Sequence, residues 1–158
     1  MKLNLSQNSK YLICLILTTI GIGIIPNLVL KPFWSNYEVA SLTIILNSFI
    51  IPILLLISIK WINERFDKDW WILNFVLIIE AVCLSVYFGF LNWANWADKT
   101  PGGWGSDNVD KGTYMILNLE LMIGLGIVGI ALIFKIISKI IKSNGTDLNS
   151  NVEKRKFN

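Results

Sequence analysis

Polar residues along this chain fall in short clusters, and between the clusters lie four runs that are apolar on every side. The runs cover residues 11–30, 40–59, 70–93 and 113–141. A helix rising about 1.5 Å per residue needs roughly 20 apolar residues to cross a hydrocarbon layer about 30 Å thick, and each run meets that length. Within the runs whole turns lack a polar face, as in Ile53, Leu54, Leu55, Leu56 and Ile57. A surface helix of a soluble domain keeps one polar side. The pattern therefore predicts an all-α polytopic membrane protein, a four-transmembrane-helix bundle.

The connections carry the turn and charge signals. Residues 1–10 are a polar lead. Residues 31–39 hold Pro32, Phe33, Trp34 and Tyr37, a helix stop followed by aromatics of the kind that settle at the membrane interface. Residues 60–69, KWINERFDKD, are charged, short and expected to be part helical, which makes the second and third runs an antiparallel hairpin. Residues 92–112 are the longest connection, where Pro101, Gly102, Gly103 and Gly105 favour turns. The polar tail, residues 143–158, is expected to be flexible. No internal repeat is visible, and the runs do not pair as the inverted halves seen in many transporters.

Composition agrees with a lipid solvent: 54% of residues are hydrophobic and 16% charged, against roughly 45–50% and 25% in soluble domains. Lys and Arg set the orientation. Eleven of them fall on the side of the two termini and the 60–69 connection, and three (Lys31, Lys99, Lys111) on the other. The positive-inside rule then puts both termini in the cytoplasm, which for a bacterial protein means the inner membrane. The net charge of +3 is this bias facing anionic lipid, so no direct nucleic acid binding is expected. The first run is too long for an ordinary signal-peptide core, and no small-x-small cleavage site follows Leu30, so it is expected to remain as an anchor. Cys14 and Cys83 lie at different depths and are expected to be free apolar fillers. The chain contains no His, the commonest metal ligand and proton shuttle.

Glu80 is the sharpest single residue, set well inside the third run. An intramembrane carboxylate is costly and ordinarily faces a bundle interior, a water cavity or a partner. Ion or proton handling, a contact within an oligomer, and a plain hydrogen bond inside the bundle all fit it. Glu120, Asn118, Asn47 and Asn27 fall in the outer half of their runs and are expected to form one polar belt. Helix-to-helix hydrogen bonding is one role for that belt; a vestibule leading to Glu80 is the other. Pro26 and Pro52 interrupt the first and second runs, and Gly21, Gly23, Gly124, Gly126 and Gly129 permit close helix approach without forming GxxxG.

Outside the runs, the 92–112 loop offers Trp93, Trp96 and Trp104 with Asp98, Asp107 and Asp110. Trp104, between glycines, with Trp96 and Asp107, is the candidate recognition surface; an interfacial aromatic belt is the simpler reading of Trp93 and Trp96. Lys135, Lys139 and Lys142 recur at helical spacing at the far end of the fourth run. They snorkel to phosphate, or join Arg65 and Lys68 in a basic surface for a cytoplasmic protein partner. No Ser/His/Asp or Cys/His set, HExxH, CxxC or phosphate-binding loop occurs, so neither an enzyme nor a bound cofactor or metal is expected.

The length, four runs, inward termini and small cytoplasmic loops, over residues 11–142, resemble the membrane component of Kiwa-type bacterial anti-phage defence systems. That resemblance implies a membrane sensor acting with a separate cytoplasmic DNA-binding effector, and it carries over no functional residue. An oligomeric sensor of membrane or envelope perturbation is the leading function class. An immunity protein against a pore-forming bacteriocin and a small ion channel or transporter using Glu80 and Glu120 are the alternatives. A homo-oligomer is expected, because a second copy supplies partners for intramembrane polar groups, with Glu80 and Asn47 facing the bundle or the subunit interface.

Overall fold

Ser6 starts the first helix: its hydroxyl accepts the Ser9 backbone N–H at 3.2 Å, satisfying one of the free donors of the first turn. Helix α1 (Gln7–Leu30) runs on into a 3₁₀ turn, Lys31–Phe33. Helix α2 (Tyr37–Ile45), a π-helical segment (Leu46–Ile50) and α3 (Ile51–Phe66) follow as one span, then α4 (Trp71–Lys99) and α5 (Ser106–Lys156). This computed structural model describes residues 6–33, 37–99 and 106–156, with side chains for 6–33, 38–39, 41–91 and 114–142. Four stretches are long and apolar enough to cross a membrane: Gln7–Phe33, Ser41–Phe66, Trp71–Leu91 and Tyr114–Lys142. No strand occurs among the described residues. The chain is an all-α, multi-pass membrane bundle of four spans.

The helix boundaries extend past the apolar runs. Helix α4 reaches Lys99 and α5 begins at Ser106, so most of the expected 92–112 loop is helical; Pro101 and three glycines fall in residues 100–105, outside the described residues. Trp104 lies outside the described residues, as do the side chains of Trp93, Trp96, Asp98, Asp107 and Asp110. Helix α5 also continues to Lys156, through the tail read as a flexible polar segment, because no proline follows residue 101 to stop it.

The α3–α4 hairpin is built as its sequence implies. Asp67 adopts a left-handed conformation (φ 52°, ψ 47°); its N–H reaches the Glu64 carbonyl at 3.4 Å, and the Lys68 N–H returns to the Asn63 carbonyl at 3.0 Å. This is the paired closure of a Schellman turn, with Asp in the place usually held by glycine.

Two compact units divide the chain, Met1–Val128 and Gly129–Asn158. In the first, α1, α3 and α4 are the closest neighbours. Helix α1 buries an unbroken i+4 row, Tyr11, Leu15, Thr19, Gly23 and Asn27. Helix α4 presents Ala81, Ser85 and Gly89, also four apart and all buried. Gly23 exists for this contact: a Cβ there would stand 2.9 Å from the Ala81 carbonyl oxygen. Such ridge-on-ridge contact through small residues lets backbones approach where lipid gives no hydrophobic drive. Helix α5 meets the rest of the unit along Leu117, Glu120, Leu121, Gly124, Leu125 and Val128. Outward faces are lined with exposed Leu17, Val29, Ile57, Met115 and Met122, a surface suited to hydrocarbon. In the second unit α5 continues with Lys139 and Lys142 exposed, Lys135 half-buried, and Ser138 donating to the Phe134 carbonyl at 2.8 Å.

Candidate functional site

Polar side chains from every span of the first unit converge in the half of the bundle away from the hairpin. Asn27 comes from α1, Asn47 and Ser48 from the π segment, Ser85 from α4 and Glu120 from α5, and none is more than 2% exposed. Local sequence sets two of these positions. Pro52 has no N–H to offer the Ser48 carbonyl, and the turn before it widens so that the Ile51 N–H reaches back five residues to Leu46. Asn47 and Ser48 sit in that widened turn. Pro26 likewise removes one helical rung beside Asn27.

Asn47 is the hub. Its Oδ1 accepts from Asn27 Nδ2 at 2.9 Å and from the Ser85 hydroxyl at 2.6 Å, while Asn27 Nδ2 also reaches Ser85 Oγ at 3.1 Å and the Ser85 carbonyl at 3.3 Å. The other end of the Asn47 amide faces Glu120 across Gly89. A side chain at position 89 would collide with Asn47 Nδ2 and come within 3.5 Å of Glu120 Oε2, so the glycine makes room for both. The cluster is nevertheless incomplete. Asn27 Oδ1, Asn47 Nδ2, Ser48 Oγ and Glu120 Oε2 are buried with no hydrogen-bond partner in place. Buried polar atoms are nearly always paired, and each orphan costs about 1–3 kcal/mol.

The chemistry open to this arrangement follows from its amides. Each of Asn27 and Asn47 carries a donor end and an acceptor end, and turning both end for end reverses the direction of the chain. In one sense Asn47 donates to a Glu120 carboxylate. In the other Asn47 accepts from a Glu120 O–H, while Asn27 accepts from its neighbours. The same side chains therefore accommodate gain or loss of a proton, or entry of a water or small cation. His, Cys, Asp and Glu form no cluster able to hold a metal ion among the described residues.

The sequence-derived candidates divide cleanly. Asn27, Asn47 and Glu120 meet, as the polar-belt expectation requires. Asn118 does not join them; it is exposed on the opposite side of α5. Glu80, expected to face the bundle or a subunit interface, is exposed on the outer face of α4. The reason lies in the row Ala81, Ser85 and Gly89, which claims the side of α4 that packs on α1 and turns Glu80 outward. With Glu80 exposed and Glu120 buried, the two carboxyls do not line one vestibule among the described residues. Ser48, Ser85 and Gly89 were not singled out from sequence, although Ala81, Ser85 and Gly89 form a small-xxx-small pattern that marks a helix contact. Arg65 is exposed and stacks over Trp61 at 5.5 Å, and Lys68 reaches Asn8 and lies 5.8 Å over Trp70.

A second polar cluster, also unanticipated, sits at the hairpin end. Tyr11 is fully buried; its hydroxyl donates to Asn63 Oδ1 at 2.7 Å and lies 3.1 Å from Asn74 Oδ1. Asn74 Nδ2 donates to Asn63 Oδ1 at 3.1 Å, and the Tyr11 ring meets Phe66 and Trp70 edge-on at 5.7 and 5.4 Å. Compared with protein-family models, curated proteins and solved structures, the chain matches none.

Proposed function

We propose that this protein is a small, non-enzymatic, oligomeric subunit of the bacterial inner membrane that senses perturbation of the membrane or envelope, such as phage attack, and works with a cytoplasmic effector. The observation that carries this reading is the cluster of four orphaned polar groups drawn from α1, the π segment and α5. A contact set that is buried yet unfinished is poised between arrangements, and a change in helix packing or in the proton or ion content of the cluster shifts the balance between them. The basic excess on the side of the termini supports a cytoplasmic placement for both ends and for the hairpin. On that side Lys139 and Lys142 are exposed on the same helix that carries Glu120, and Arg65 is exposed at the end of α3. Exposed basic residues of this kind favour acidic groups on a partner.

Charge reversal at Lys139 and Lys142 should release the effector without preventing membrane insertion, read by co-purification from native membranes. Repeated isolation of the wild-type chain with no cytoplasmic protein would remove the sensor reading. A channel or transporter built on Glu120 is the second reading, favoured by the same buried carboxyl. Ion flux into liposomes holding only this chain, abolished by Glu120→Gln, would put it first.

A further inference from the structure

Glu80 stands ten residues into the Trp71–Leu91 span, at the level of the hydrocarbon centre, exposed, with no hydrogen bond or ion pair to the described part of its own chain. Its neighbours on that face of α4 are Val76, Cys83 and Tyr87, all exposed. The spacing of the four residues is 4, 3 and 4, the alternation of a coiled-coil seam rather than the i+4 row by which α4 packs on α1. A carboxyl left in lipid is expensive, and such groups pair with one another or with other polar groups. The described spans offer no Lys or Arg at that depth.

Symmetry supplies the partner. Copies inserted in one membrane share one orientation, so a two-fold axis along the membrane normal brings like residues together at like depth. A second copy presenting the same seam therefore sets carboxyl against carboxyl at Glu80, and thiol against thiol one turn away. The opposite side of α4 is already filled by α1, so among the described residues the seam lies on the side of this helix left free to take a second copy.

We propose that two copies of this chain associate through α4, in parallel, with the Glu80 carboxyls hydrogen-bonded to each other at the centre of the seam. This rests on the multi-copy reading given above and adds its geometry.

Cys83 makes the interface testable without a probe. The Cys14→Ser chain, retaining only Cys83, is reconstituted in phosphatidylethanolamine and phosphatidylglycerol liposomes and oxidised with copper phenanthroline. A disulfide-linked dimer is expected, absent in Cys14→Ser/Cys83→Ser. In that cysteine-free background Val76→Cys should cross-link as well, and Ile57→Cys, on the exposed face of α3, should not. Glu80→Gln should keep the Cys83 product. Glu80→Leu should lower its yield roughly threefold to thirtyfold, the range spanned by one intramembrane hydrogen bond. Equal cross-linking in Glu80→Leu and wild type overturns the proposal. So does a dimer seen by native mass spectrometry whose Cys83 thiols do not cross-link, an outcome that leaves the multi-copy reading standing. A monomer under both assays overturns the two together.

Discussion

The bundle contains two buried polar clusters, and they are finished to different degrees. At the hairpin end Tyr11, Asn63 and Asn74 close on one another under the rings of Phe66 and Trp70, and none has an orphaned polar atom. At the other end Asn27, Asn47, Ser48 and Glu120 each keep one. A closed network fixes one arrangement, because every alternative loses a hydrogen bond. An open one tolerates several, because some groups have nothing to lose. The first cluster locks α1 to the α3–α4 hairpin. The second is where a response can be built.

That contrast can be broken at three points. Tyr11→Ala removes a fully buried ring and strands two amides, so it should cost about 3–5 kcal/mol, read as reversible unfolding in detergent micelles. Gly89→Ala forces a methyl against the Asn47 amide, a flexible group able to turn aside, and should cost about 1 kcal/mol while separating Asn47 from Glu120. The same unfolding assay, together with a change in the amide environment by NMR, would check both effects. Glu120→Leu should be the mildest: it removes an orphaned acceptor, and such exchanges are often neutral or stabilising. Stability within about 1 kcal/mol of wild type is expected. A loss as large as that of Tyr11→Ala would show the distal cluster to be as structural as the other, and the distinction would fail.

Much of this architecture is legible in the sequence because lipid imposes it. Run length gives the spans, and the KWINERFDKD stretch gives the hairpin. Depth is partly legible: Asn47 and Glu120 lie about two turns from the outer ends of their runs and Asn27 about one turn, and the three meet in space. Facing is harder. A span that is apolar all round has no amphipathic phase, so nothing in its hydropathy tells which side of α4 turns inward. Depth alone left open whether Glu80 faces the bundle or a second subunit, and it is exposed on the side of α4 away from α1. The phase is encoded instead in side-chain size, through Ala81, Ser85 and Gly89, and reading that row places Glu80 nearly opposite Gly89. Tyr11 escaped notice for a related reason: at the first residue of a run it reads as an interfacial aromatic, while its burial depends on two asparagines 52 and 63 residues away.

The widened turn at Leu46–Ile50 has a consequence for how this chain tolerates changes in length. A π turn holds one residue more than the α-helix it interrupts. The extra residue is absorbed inside the turn, so deleting one residue there would restore an unbroken α-helix and leave the segments on either side in phase with each other. Thr43 on the loop side and Leu55, Ile59 and Ile62 on the hairpin side would keep their buried faces, and only the turn that carries Asn47 and Ser48 would close up. The second span therefore carries Asn47 and Ser48 on one removable residue, and a one-codon deletion would alter the distal cluster while both flanks, and the hairpin end, stayed in place.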